Sequence, residues 1–114
     1  VEAIEDFLAR GPDQRLRIVL HDIDHVEHYC PRLLALRGRF MQRLEFRQTT
    51  VELRHLRDAH LLADGRHGAI RFHMGQARGK HVSDDPVEIA PRWRRFDDLW
   101  DMSSSCLPAT RTGL

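Results

Sequence analysis

Hydrophobic positions along the chain change period several times, and each change predicts an element. Val1, Ile4, Phe7 and Leu8 recur at helical spacing, so a first helix should run to about Ala9 or Arg10. Gly11 and Pro12 then supply its stop and a turn. In RLRIVLHD (15–22), Leu16, Ile18, Val19 and Leu20 close into a short apolar run. That is the pattern of a strand buried on both faces, as in parallel sheets. Residues 29–41 place Leu33, Leu34, Leu36 and Phe40 on a broad helical stripe. Pro31 is tolerated in that helix's first turn, and Gly38 weakens the helix without forbidding it. RLEFRQT (43–49) alternates Leu44 and Phe46 with Glu45 and Arg47, the period of a strand. Strand, helix and strand within this span predict a βαβ unit with a right-handed crossover.

The second half is read the same way. VELRHLRD (51–58) is ambiguous between a helical turn and an irregular crossover. Residues 59–74 contain two apolar runs around Asp64-Gly65, a dipeptide that accepts positive φ, and predict a β-hairpin. GQARGKHVSDDP (75–86) reads as loop. Trp93, Phe96, Leu99 and Trp100 then fall at i, i+3, i+6 and i+7, a strongly amphipathic helix. From Ser103 the periodicity stops, so 103–114 is read as a disordered tail. The expected class is α/β: a single domain over residues 1–102, with a central mixed β-sheet and packed helices.

Composition narrows the setting. At 114 residues the chain can bury a core without staples. No run approaches the roughly 18 apolar residues of a membrane span, and no signal-peptide pattern is present. Cys30 and Cys106 lie far apart, which is no disulfide framework and fits a reducing, cytoplasmic setting. The net charge of +1 comes from 18 basic and 17 acidic residues, so no overall field attracts a polyanion. The preference for arginine over the single Lys80 matches a GC-rich bacterial genome and says little about partners. A helix already under way at position 1, without an initiator Met, suggests a piece of a longer polypeptide.

The densest candidate chemistry is HDIDHVEHYC (21–30). On one continuous helix His21 and His25 would share a face, as zinc ligands do, with His28 nearby. His21 instead ends a predicted strand, and Asp22 or Asp24 suits the N-cap of the next helix. The stretch therefore reads as a polar junction before a helix starting around Tyr29, and metal is the less favoured reading. His21 and Asp22 would still stand at the carboxyl end of a parallel strand, where open α/β sheets bind ligands. Cys30 precedes Pro31 at a helix start, but a buried inert thiol explains it as well. Ser103, Ser104 and Ser105 lack a nucleophile elbow, and Gly75, Gly79 and Lys80 lack P-loop spacing. Arg37, Arg39 and Arg43, with Arg92, Arg94 and Arg95, could reach phosphate, yet interleaved acids make a solvated helix face the better reading.

One family resemblance emerges from the order of these features. A helix, an apolar strand ending in a polar-Asp pair, a helix, the RLEFR strand, DAHLLADGR and the aromatic helix RWRRFDDLWD succeed one another. This resembles the phospholipase D-like (HKD) fold over about residues 3 to 102, without what would be an N-terminal strand. It is closest to a degenerate bacterial subfamily sometimes attached to N-acetyltransferase domains. The resemblance implies a partly erased H-x-K-x4-D motif, in which the histidine attacks phosphorus, the lysine binds phosphate and the aspartate orients the site. Laid on Asp64, the motif puts Arg57 at the histidine and Ala59 at the lysine. Arginine is too basic to serve as nucleophile. His55 and His60 lie near the register, and His55 would share Arg57's face if this were strand. The pocket candidates are therefore His21, Asp22, His55, Arg57, His60 and Asp64, with no cofactor.

The expected function is a non-catalytic binding or interaction module of a larger bacterial protein. Pairing of two copies and a linked N-acetyltransferase domain are the partners the resemblance implies. Nucleic acid is disfavoured, and no membrane is expected. The alternative is a phosphodiesterase or nuclease-like enzyme, or a metal-dependent one using His21, His25 and His28. A cone-shaped α+β fold of the nuclear-transport-factor-like type is a further option, against which the short RIVLHD run argues.

Overall fold

A computed structural model describes residues 1–106 of the chain. Its elements run α1 (Glu2–Ala9), β1 (Leu16–Leu20), α2 (Ile23–Tyr29), α3 (Pro31–Arg39) and β2 (Leu44–Gln48). A 3-10 turn (Val51–Leu53) precedes β3 (Ala59–Ala63), β4 (His67–Arg71), β5 (Gly79–Val82), α4 (Pro86–Met102) and β6 (Ser104–Ser105). Helices and mixed sheet make it α/β. In place of one central sheet there are two three-stranded sheets, ordered β1-β2-β6 and β3-β4-β5. Among the described residues, backbone contacts group into two units, residues 1–50 with 103–106, and Val51–Met102. Among the described residues no helix is long and apolar enough to cross a membrane.

In the first unit β1 and β2 pair in parallel, from Leu16 opposite Leu44 to Leu20 opposite Gln48, which is the βαβ pairing the sequence predicts. β1 is an edge strand, however, and all five of its residues are only half-buried rather than covered on both faces. The core lies on the side of Leu8, Leu36, Phe40, Leu44 and Phe46. Arg43 ties the end of α1 to it, donating to the carbonyls of Leu8 (2.8 Å) and Gly11 (2.6 Å). Arg39 pairs with Glu5. Two of the arginines considered for phosphate are thus used within the fold.

Two differences from the sequence reading occur in this unit. The stretch 23–29 is a helix, not a polar turn, because Asp22 takes an extended backbone and caps it, accepting from the Asp24 N–H at 3.0 Å. The Gln48 side chain accepts the Ile23 N–H at 2.8 Å, satisfying another free donor of the same turn. Ser104 and Ser105 are also not tail. They pair antiparallel with Gln48 and Arg47, and the Cys106 N–H donates to the Phe46 carbonyl at 3.0 Å. The rest of the expected tail, 107–114, lies outside the described residues.

The second unit contains the predicted hairpin. Asp64 and Gly65 have φ of 58° and 72°, as a type I′ turn requires, and the Arg66 N–H returns to the Ala63 carbonyl at 3.2 Å. The segment read as loop, 75–86, holds β5, which extends the hairpin through Gly68 opposite Val82 and Ile70 opposite Lys80. Register places Leu62, Gly68, Ile70 and Val82 on one sheet face. Ile89 and Trp93 of α4 pack on that face. Asp85 caps α4, accepting from the Glu88 N–H at 3.1 Å.

Candidate functional site

The histidines of 21–30 do not converge. His21 Nδ1 shares a 2.6 Å hydrogen bond with Thr49 Oγ1, satisfying a buried hydroxyl. His25 and His28 sit on α2 against the Tyr29 ring, each with centroids 4.6 Å from it. Among the described residues no group of three or more His, Cys, Asp or Glu side chains is placed to hold a metal ion. Asp22 is occupied as an N-cap.

The motif positions drawn from the resemblance are also separate. Arg57 lies ahead of β3 and donates to the Arg54 carbonyl at 2.6 Å, an exposed local contact. Asp64 belongs to the hairpin turn. His55 lies just past the 3-10 turn, its Nδ1 2.8 Å from the Glu52 carbonyl, so it is not on a strand and shares no sheet face with Arg57.

His60 alone joins a charged cluster, on β3. Arg95 of α4 grips Asp58 with both nitrogens, at 2.5 and 3.0 Å. His60 Nε2 stands 2.6 Å from the same carboxylate and 2.7 Å from Arg95 Nη1. A protonated Nε2 would donate to Asp58, and a bare one would accept from Arg95. Either way His60 Nδ1 is buried without a partner. The Arg95 hydrogen bonds hold the Asp58 carboxyl well below its ordinary value near 3.8, with a smaller contribution from His60, against burial that acts to raise it. Asp58 in turn raises Arg95.

The sign of this shift gives a pH prediction. A carboxyl depressed in the folded state contributes stability above its unfolded pKa, and that stability disappears as pH falls through the window below it. The urea midpoint should therefore fall as pH drops below about 4. In Asp58→Asn the fall should be shallower. Equal slopes for the two proteins would remove Asp58 from the account.

The first unit also contains a cleft that no sequence pattern announces. It has a volume of about 330 Å³ and lies at the carboxyl ends of β1 and β2, bounded by Ile23, Asp24, Glu27, Leu34, Arg37 and Gln48, with Ser104–Cys106 closing one side. Arg37 Nη1 donates to the Cys106 carbonyl at 2.9 Å, its guanidinium lies 5.6 Å from the Phe46 ring centroid, and its Nε is buried without a partner. Burial pushes the Cys106 thiol up, opposed in part by Arg37, which disfavours the thiolate. Neither Asp24 nor Glu27 forms an ion pair with Arg37 among the described residues. This cleft lies at the strand ends where open α/β sheets bind ligands, and its lining does not include His21 or Asp22.

A family model described as Domain of unknown function (DUF7931) matches residues 1–111. Searches of curated proteins and of solved structures return no significant match.

Proposed function

The chain belongs to the DUF7931 family; on that premise we propose a non-catalytic binding domain, a degenerate relative of the phospholipase D-like fold. The order of α1, β1, the paired helices, β2, the hairpin and α4 supports that kinship. The state of His60 carries the non-catalytic reading. Its side chain is 14% exposed, Nε2 is engaged by Asp58 and Arg95, and Nδ1 is sealed. A histidine nucleophile needs one ring nitrogen free to reach phosphorus. His60 presents none, and in the register laid on Asp64 Ala59 takes the place of the phosphate-binding lysine.

Hydrolysis of bis(4-nitrophenyl) phosphate and of a fluorogenic oligonucleotide tests this directly. The protein should match the buffer background, with and without added divalent metal, and His55→Asn and His60→Asn should change nothing. Turnover that either substitution abolishes would overturn the proposal.

A further inference from the structure

The cleft at the carboxyl ends of β1 and β2 holds one guanidinium and two carboxylates that leave each other unpaired. Arg37 is fixed by the Cys106 carbonyl and the Phe46 ring, and both of these partners are neutral. Its charge is therefore held in place but not compensated by a carboxylate, while its Nε is sealed from solvent and is not what a ligand would meet. Asp24 and Glu27 are i and i+3 on α2, so both face the same side of that helix and border the same cleft. Ile23 and Leu34 add an apolar wall.

Each simpler ligand meets a penalty here. A plain anion drawn to Arg37 must sit beside two carboxylates, and a plain cation drawn to them must sit beside Arg37. A molecule with a negative and a positive end a few bonds apart meets neither. The volume, about 330 Å³, lies at the small end of ligand pockets. Resting on the binding-domain reading above, we propose that this cleft binds a small aliphatic zwitterion of the α-amino acid type. Its carboxylate lies on Arg37, its ammonium on Asp24 and Glu27, and its side chain against Ile23 and Leu34.

Three probes of one shape separate the contributions: L-leucine, 4-methylpentanoate without the amine, and 3-methylbutylamine without the carboxylate. In amide NMR titrations of the full chain, L-leucine should give saturable shifts at Ile23, Arg37 and Ser104 to Cys106. Each half-ligand should bind at least about tenfold more weakly, as expected for loss of one charge-assisted contact. Asp24→Asn with Glu27→Gln, both at exposed helix positions, should weaken L-leucine by about tenfold and bring 4-methylpentanoate level with it. Arg37→Gln should abolish binding of 4-methylpentanoate and weaken L-leucine by at least about tenfold. No saturable shift with L-leucine, or equal affinity for 4-methylpentanoate in the unmodified protein, would overturn the zwitterion proposal. Either result leaves the non-catalytic reading standing, because only phosphodiester turnover removes that.

Discussion

Phe46→Ala should destabilise the first unit by about 3–5 kcal/mol, the cost of emptying a large aromatic site in a packed interior. Phe46 is 2% exposed, at the centre of the Leu8, Leu36, Phe40 and Leu44 cluster. It sits on the middle strand of its sheet, so its neighbours are held from both sides and can collapse little into the space left behind. The truncation also removes the ring beneath Arg37. Amide hydrogen exchange should show protection lost across residues 16–20 and 44–48, with the urea midpoint falling. Glu45→Ala, on the same strand but facing outward, should stay within about 0.5 kcal/mol of the parent. Unchanged protection in β1 and β2 after Phe46→Ala would mean that the core lies elsewhere.

Ile89→Ala should cost the second unit about 2–5 kcal/mol. Ile89 is fully buried between α4 and the β3-β4-β5 sheet, and Gly68 on β4 is what lets it come so close. A Cβ at position 68 would lie 2.9 Å from Ile89 Cδ1, so Gly68→Ala should itself be destabilising, by about 1–3 kcal/mol. Ile89→Val deletes that same Cδ1. The two changes should therefore compensate, with a favourable coupling of about 0.5–3 kcal/mol in a double-mutant cycle. Trp93 packs on this cluster, so tryptophan emission under urea is a local readout. Strict additivity would show that Gly68 and Ile89 do not share the space described.

How legible each element is in the sequence depends on how it is buried. α1, α3, β2, the hairpin and α4 each bury one face, and a buried face leaves a period; β1, half-buried throughout, is marked by its apolar run instead. α2 has no fully buried residue, and only Ile23 and Val26 hint at its inner side, so its two histidines and two acids hide it. Asp22 as a cap ahead of those two apolar positions is the available signal. Three of the four residues of β5 are exposed, and β6 is two serines, so neither carries a hydrophobic pattern at all. Their pairing is dictated by backbone groups of β4 and β2. The candidate sites are harder still. Asp58 and Arg95 are 37 positions apart, and nothing local marks them as partners. Arg37 looks like one more cation on a solvated helix, because its distinction lies in Phe46 and Cys106 rather than in its own neighbours in sequence.

The short β6 has a consequence for the order in which the chain can fold. The residues joined by the Arg37 to Cys106 hydrogen bond are 69 positions apart, with all of Val51–Met102 between them. The intervening segment needs only its own contiguous residues. Residues 1–50 must wait for a stretch synthesised much later before their sheet gains its third strand. Loop closure across that span carries an entropic cost that the pairing of the third strand must offset, and an intervening segment already folded on its own contiguous residues would lower it. During translation the Arg47 and Gln48 edge of β2 stays open until Ser104 and Ser105 leave the ribosome.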